Sequence, residues 1–167
     1  MKSSLKKVLS FLLIFCLIVS MAPFAFAAEG EVTFTVDNIH YRVTKENEVE
    51  VYNPNFVESA PPDQEFADYT GDITIPSKVT YNGQSYSVTA IAGVAFIGAH
   101  VSSVTLPESI VRIGQNAFKG CEATNITLGK GLKEIGPSAF RSCKFEHLTI
   151  PDGVETIGDN AFHECGS

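Results

Sequence analysis

Three stretches near the carboxyl-terminal end of the chain share one pattern of apolar and polar positions. When residues 101–121, 122–143 and 144–165 are aligned, apolar residues coincide along a unit of about 22 residues. Each unit opens with an alternation of apolar and polar residues, which is typical of a half-buried strand. The aligned apolar positions of this strand are Val104, Ile126 and Leu148, followed by Leu106, Leu128 and Ile150. The pattern predicts a repeat in which every copy contributes a short strand.

The rest of each unit predicts a turn, a second strand and a compact turn of helix. Pro107 and Pro151, with Gly129 between them in the alignment, end the first strand. An isoleucine followed by glycine then ends a second extended piece, and an Ala-Phe pair and a cysteine follow. These residues are Ile113, Ile135 and Ile157; Ala117-Phe118, Ala139-Phe140 and Ala161-Phe162; and Cys121, Cys143 and Cys165. We expect one helical turn, capped by the residues after the glycine, to carry Ala-Phe inward.

An earlier and longer copy precedes these three. Its matching residues are Ile73, Ile75, Pro76, Ile91, Ala95-Phe96 and, in place of the cysteine, Ala99. Asn82-Gly83, within its insertion, predicts a hairpin with a type I′ turn. We call the copies coil 1 (from residue 71), coil 2 (101–121), coil 3 (122–143) and coil 4 (144–165).

A single copy of this length cannot bury enough apolar surface to offset the entropy lost on ordering it, so the copies must stack. The expected fold is therefore mainly β: a solenoid of about four 22-residue coils, each with short parallel strands and a short helical turn.

Residues 28–70 follow another pattern. EVTFTV, HYRVT and EVEVYN alternate and are separated by turn residues, which predicts an antiparallel β-meander that caps the first coil. An acidic connector follows, with Asp63, Glu65, Asp68 and Asp72. These carboxylates leave weak calcium binding open, but their spacing lacks the order of a dedicated calcium loop, so a solvated loop is the preferred interpretation.

The units TLPESIVRIGQNAFKGC and TIPDGVETIGDNAFHEC resemble the BspA-like class of leucine-rich repeat. The resemblance covers about residues 71–165, with departures at Gly129, which replaces the turn proline, and at Ala99. It implies a leucine-rich-repeat solenoid and a protein that is secreted or displayed on a bacterial cell surface. Some members resemble adhesins that bind matrix proteins or other cells, but partners vary too much within the family to transfer one.

The first 27 residues have the parts of a secretory signal: three lysines, an apolar run and Ala25-Phe26-Ala27 before the expected cleavage site. The apolar run is shorter than the roughly 20 residues of a spanning helix, which disfavours a membrane anchor. The leader holds three of the 12 Lys and Arg and none of the 19 Asp and Glu, so the remainder has nine basic against 19 acidic residues. This net charge of −10 excludes nucleic acids and anionic membrane surfaces as partners.

Cys121, Cys143 and Cys165 occupy one column of the alignment. Stacked equivalents would be close enough for a disulfide, but their side chains point in parallel into the core, which favours free, packed thiols. A metal site made of Cys143, His147, His163 and Cys165 is disfavoured, since His147 alternates outward while the cysteines point inward. We expect no cofactor.

The sequence contains no motif of a nucleophile elbow, a phosphate loop or a zinc protease, which predicts a protein that is not an enzyme. One column of the alignment holds Asp72, Ser103, Asn125 and His147, but consecutive coils spread these residues along a row, which rules out a triad.

The candidate partner-binding face consists of the outward strand residues: Asp72, Thr74, Ser103, Thr105, Asn125, Thr127, His147 and Thr149. A solvated sheet face is the competing interpretation, because threonine is a common strand residue.

The chain ends at Cys165-Gly166-Ser167, where another strand would begin. Three explanations are open: the sequence is a fragment of a longer chain, a partner covers the end through end-to-end association, or the protein is poorly behaved. We favour the fragment.

Two functions remain open. The first is a secreted or surface module that binds an extracellular protein or glycan. The second is a structural spacer that supports a further domain.

Overall fold

The computed structural model describes residues 31–56 and 69–166, which form strands and turns but no helix. The predicted leader and most of the acidic connector, with Asp63, Glu65 and Asp68, lie outside the described residues. None of the described segments forms a helix that is long and apolar enough to cross a membrane. The strands are β1 (Thr33–Val36), β2 (Ile39–Lys45), β3 (Glu48–Val51), β4 (Thr70–Thr74), β5 (Lys78–Tyr81), β6 (Gln84–Ile91), β7 (His100–Thr105), β8 (Arg112–Ile113), β9 (Asn125–Thr127), β10 (Glu134–Ile135) and β11 (Thr156–Ile157).

The strands form two sheets. The larger sheet is mixed: β1, β2 and β3 pair antiparallel, β3 pairs parallel with β6, and β6, β8, β10 and β11 continue in parallel. The predicted hairpin is present as β5 and β6, which flank Asn82 and Gly83, both with positive φ. The smaller sheet is parallel and contains β4, β7 and β9 in that order. The fold is therefore mainly β, with a larger sheet that joins the meander directly to the solenoid.

A stack of phenylalanine rings runs through the core between the sheets. Phe96, Phe118, Phe140 and Phe162, which we call the phenylalanine stack, lie 5.0, 5.2 and 5.4 Å apart with nearly parallel planes. These distances follow the roughly 4.8 Å spacing of paired strands. The fixed interval of the Ala-Phe pair along the sequence therefore comes from rings that stack in register on their neighbours.

The predicted helical turn before each cysteine is not confirmed. In coil 2 the segment 114–121 is a run of three turns, closed by the amides of Ala117, Lys119 and Cys121 on carbonyls three residues earlier. The alternate amides, those of Asn116, Phe118 and Gly120, donate instead to carbonyls of coil 3. Positive φ angles of 56° at Asn116 and 68° at Gly120 make this alternation possible. Half of the donors thus bind the next coil, which a helix would not allow.

The meander covers the first coil. Strand β3 lies beside β6, and the ring of Tyr69 packs 4.6 Å from Phe96, the first ring of the phenylalanine stack. The Tyr69 hydroxyl donates to the Tyr52 carbonyl at 3.0 Å and accepts from the His40 amide at 3.1 Å. A tyrosine ends the stack on this side because its ring continues the packing while its hydroxyl bonds the meander.

A buried carboxylate also links the meander to the solenoid. Glu50 in β3 is 5% exposed and accepts hydrogen bonds from Arg42 Nε at 2.8 Å and from Arg112 Nη2 at 3.0 Å. Arg42 belongs to the meander, whereas Arg112 belongs to β8 of coil 2. The carboxylate is therefore satisfied from both sides, as a buried charge requires.

Candidate binding face

The smaller sheet brings together the residues of the predicted face. Asp72 is opposite Ser103, Ser103 is opposite Asn125, and Asn125 forms a parallel bridge with His147. A second row holds Thr74, Thr105 and Thr127. Thr149 lies two residues beyond the bridge, outside any strand. The register is the one that the alignment predicts, because the repeat length places the same column opposite itself in each coil.

The face is open to solvent while the residues between its members are in the core. Val104 and Ile126 are 1% and 5% exposed, and they alternate with the face residues because successive side chains of a strand point to opposite sides. Seven of the eight predicted residues are exposed, and Ser103 is half-buried. The Ser103 hydroxyl donates to the Asp72 carboxylate at 2.7 Å, so these two side chains are already paired.

A groove of about 630 Å³ lies at the coil 4 end of this face. Four residues of the predicted face line it: Asn125, Thr127, His147 and Thr149. Ile126, Leu128 and Ile150 supply apolar surface, and Lys130 and Asp152 place one charge of each sign at the margin. Its volume is within the roughly 300 to 1,000 Å³ that ligand sites occupy.

Sequence reasoning missed an ionic row at the edge of the same sheet. Glu122 contacts His100 Nδ1 at 2.8 Å and Lys144 Nζ at 3.6 Å. The hydrogen bond with His100, with charge attraction from His100 and Lys144, lowers the pKa of Glu122. The three residues are spaced by the repeat length, so a scan of the alignment for columns of alternating charge could have found the row.

The arrangement separates the side chains that a catalytic triad would need to unite. Asn125 lies between Ser103 and His147 in the row, so the serine and the histidine are not neighbours. Nor do His, Cys, Asp and Glu side chains form a group of three or more suited to a metal ion within residues 31–56 and 69–166.

Cys121, Cys143 and Cys165 are free thiols that contribute to packing, as predicted. Cys143 Sγ donates to the Phe118 carbonyl at 2.9 Å, and Cys165 Sγ donates to the Phe140 carbonyl at 3.0 Å. Burial raises the pKa of Cys121 to about 11 and also raises the pKa of Cys143 and, less deeply buried, Cys165. Cys143 and Cys165 therefore fasten coils 3 and 4 to the backbone of the phenylalanine stack in the preceding coil.

Comparison with known proteins agrees with this architecture. The model of the BspA type leucine rich repeat region matches residues 89–167 with six copies, so the count of about four 22-residue coils is not confirmed. A leucine-rich repeat protein from Bacteroides capillosus is 32% identical over 81% of this chain and 93% of its own, with a TM-score of 0.64. Another from Bacteroides ovatus is 31% identical over 80% of this chain but 40% of its own, with a TM-score of 0.51. Comparison with curated proteins finds no match. The repeat motif, the stacked parallel strands and the likeness to these solved structures place the chain in the BspA-type leucine-rich-repeat family.

Proposed function

We propose that the chain is a non-enzymatic binding module that engages an extracellular protein or glycan through the predicted face. Solenoids often use an extended sheet surface for recognition, because stacked strands present many side chains in fixed rows. The face offers a carboxylate, an amide, an imidazole and hydroxyls in two rows, which suits a polar partner. The secretory leader predicted at residues 1–27 supports a secreted or cell-surface location, and an adhesion role belongs to the same proposal.

One observation carries this proposal. The column Asp72, Ser103, Asn125 and His147 differs in every coil, whereas the column beside it is threonine throughout. Both columns lie on the same exposed surface of the smaller sheet. Asn125 and His147 are exposed and the core places no demand on their side chains, so this part of the varied column is free to define a partner.

The test is a binding screen of the protein against extracellular matrix proteins and a glycan array. Replacing Asn125 and His147 together by alanine is expected to weaken binding of any captured partner by at least about tenfold, which is about 1.4 kcal/mol. The melting temperature should stay nearly unchanged, since both side chains are exposed. The control replaces Gln115 and Glu134, exposed residues outside the face, by alanine. Equal binding by both double variants would contradict the proposal.

The second function is a structural spacer that supports a further domain. The parallel pairing that continues from β6 through β8 and β10 to β11 favours it, because this pairing holds successive coils at a fixed spacing. A spacer would show no specific binding in the screen.

A further inference from the structure

The strands of the smaller sheet stay paired through β9, and the sheet then opens. The Ile75 amide donates to the Thr105 carbonyl at 3.0 Å, and one coil later the Leu106 amide donates to the Thr127 carbonyl at 2.9 Å. The equivalent bond in the next coil would join Leu128 to Thr149. Across the described part of the chain, no backbone hydrogen bond joins these two residues. Pairing between coils 3 and 4 thus ends at the bridge of Asn125 with His147.

The opening is confined to this sheet. On the larger sheet, the Gly158 amide still donates to the Ile135 carbonyl at 2.8 Å. In the turn segment, the Phe140 amide donates to the Ala161 carbonyl at 2.8 Å, and the phenylalanine stack continues to Phe162. Coil 4 therefore contacts coil 3 through the larger sheet and through the turn segment. At the smaller sheet the two coils separate, and the groove lies there.

Two glycines explain the gap. A Cβ atom at Gly129 would lie 2.1 Å from the Pro107 carbonyl oxygen, and one at Gly131 would lie 2.0 Å from that of Glu108. Coil 3 can approach coil 2 this closely because neither residue has a side chain. At Gly153, the equivalent of Gly131 in coil 4, the nearest atom would be 3.4 Å away. The turn of coil 3 is therefore drawn toward coil 2 and leaves a wider space on its other side.

We infer that this groove binds an extended peptide segment of a protein partner, which adds to β9 as a parallel strand. The inference rests on the proposed function and names the kind of partner. The Ile126 carbonyl and the Leu128 amide are the groups that the gap leaves without a backbone partner among the described residues. Ile126 lies in β9 and Leu128 is the residue that follows its end, so the two groups are two residues apart on one edge and the backbone of another strand can satisfy both.

The dimensions and chemistry of the groove fit this occupant. His147 already occupies the edge of β9 opposite Asn125, so the open edge comprises residues 126–128, about 10 Å at roughly 3.3 Å per residue. Three peptide residues can pair over that length. Ile126, Leu128 and Ile150 receive an apolar side chain, and the outward threonines meet polar ones. The margin carries Lys130 and Asp152, so neither a strongly acidic nor a strongly basic peptide is required. A glycan lacks the alternating amide donors and acceptors of a strand.

The experiment screens the protein against a randomised octapeptide library, and selected peptides are resynthesised with single N-methyl groups along the backbone. N-methylation removes one donor without changing a side chain. We expect methyl groups on alternate amides to weaken binding by tenfold or more, and the bound peptide to slow hydrogen exchange of the Leu128 amide. Peptides that tolerate every N-methyl group, or that leave Leu128 exchange unchanged, would overturn the inference.

Two matched variants locate the site. Thr149→Trp fills the groove, whereas Thr105→Trp places the same side chain at the equivalent position of coil 2, away from the groove. Binding of the selected peptides should be lost in the first variant and kept in the second; the reverse, or equal loss, would overturn the inference. A screen that yields matrix proteins or glycans but no peptide would overturn the inference and leave the proposed function standing. A screen that yields nothing of any class contradicts both.

Discussion

The two ends of the phenylalanine stack have the same repeat motif but different surroundings. At the first end, Phe96 is fully buried beneath Tyr69 and the meander. In coil 4, Phe162 is half-buried, and Ile157 is 50% exposed although the equivalent Ile135 is 1% exposed. Each coil is therefore buried by its neighbours, as expected for a fold whose stability is a sum over adjacent units. The same motif can be core or surface, and its neighbours decide which.

The largest predicted effect is a difference in stability between variants that remove two different rings of the phenylalanine stack. Phe118→Ala removes a ring that is covered on both sides, and we expect it to lower the free energy of unfolding by about 3 to 5 kcal/mol. Phe162→Ala removes a half-buried ring and should cost about 1 kcal/mol. Urea denaturation of both variants measures the difference. Equal losses of unfolding free energy would mean that burial by neighbouring coils does not determine how much each ring stabilises the protein.

The link between meander and solenoid should have the next largest effect. Glu50→Gln removes the charge that Arg42 and Arg112 share, and we expect a loss of about 2 kcal/mol, since hydrogen bonds to charged groups contribute roughly 1.5 to 3 kcal/mol. The control is Glu155→Gln, because Glu155 pairs with Lys133 at 3.0 Å on the surface. That variant should cost less than about 1 kcal/mol. If both variants unfold at the same urea concentration, the buried link does not hold the meander in place.

A pair of glycines tests the spacing of the coils. Gly131→Ala would force its Cβ atom against the Glu108 carbonyl, so we expect a loss of about 1 to 2 kcal/mol, a size typical of overpacking. Gly153→Ala meets ordinary contacts and should be close to neutral. Thermal unfolding of the two variants checks this. If Gly153→Ala is destabilised while Gly131→Ala is neutral, the close approach of coil 3 to coil 2 does not account for the groove.

The smallest predicted effect is a difference in the rate at which the three cysteines of the repeats react with an alkylating reagent. Cys121 and Cys143 are fully buried with raised thiol pKa values, whereas Cys165 is partly exposed. Iodoacetamide at pH 8 should therefore label Cys165 first, because the reactive thiolate is scarce when the pKa is high and access is blocked. Peptide mass mapping over time reports each site separately. Faster labelling of Cys143 than of Cys165 would contradict the packing described here.

Much of the architecture could be predicted from the period of the sequence. A fixed repeat length determines which residues lie opposite each other, so the alignment placed Asp72, Ser103, Asn125 and His147 in one row. It also assigned the cysteines to the core, because their column follows the buried Ala-Phe pair.

Other features depend on contacts between coils or outside the repeat. Asn116 resembles a helix cap locally, yet its amide donates to the next coil, a contact that no local pattern records. Tyr69 precedes the repeat and has no counterpart in the alignment, so its place at the end of the stack could not be read from periodicity. Gly129 was visible as a departure from proline, but its consequence, the groove, depends on a close approach to Pro107.

The central claim is that each coil is buried by the coils on either side of it. Amide hydrogen exchange tests this claim most directly, because it reports which backbone amides a neighbouring coil covers. The Phe96, Phe118 and Phe140 amides each donate to the following coil at 2.7 to 2.8 Å, whereas the Phe162 amide has no backbone acceptor in the part of the chain that the structure describes. We predict strong protection of Phe118 and Phe140 and fast exchange of Phe162. Protection of Phe162 equal to that of Phe118 would contradict the account.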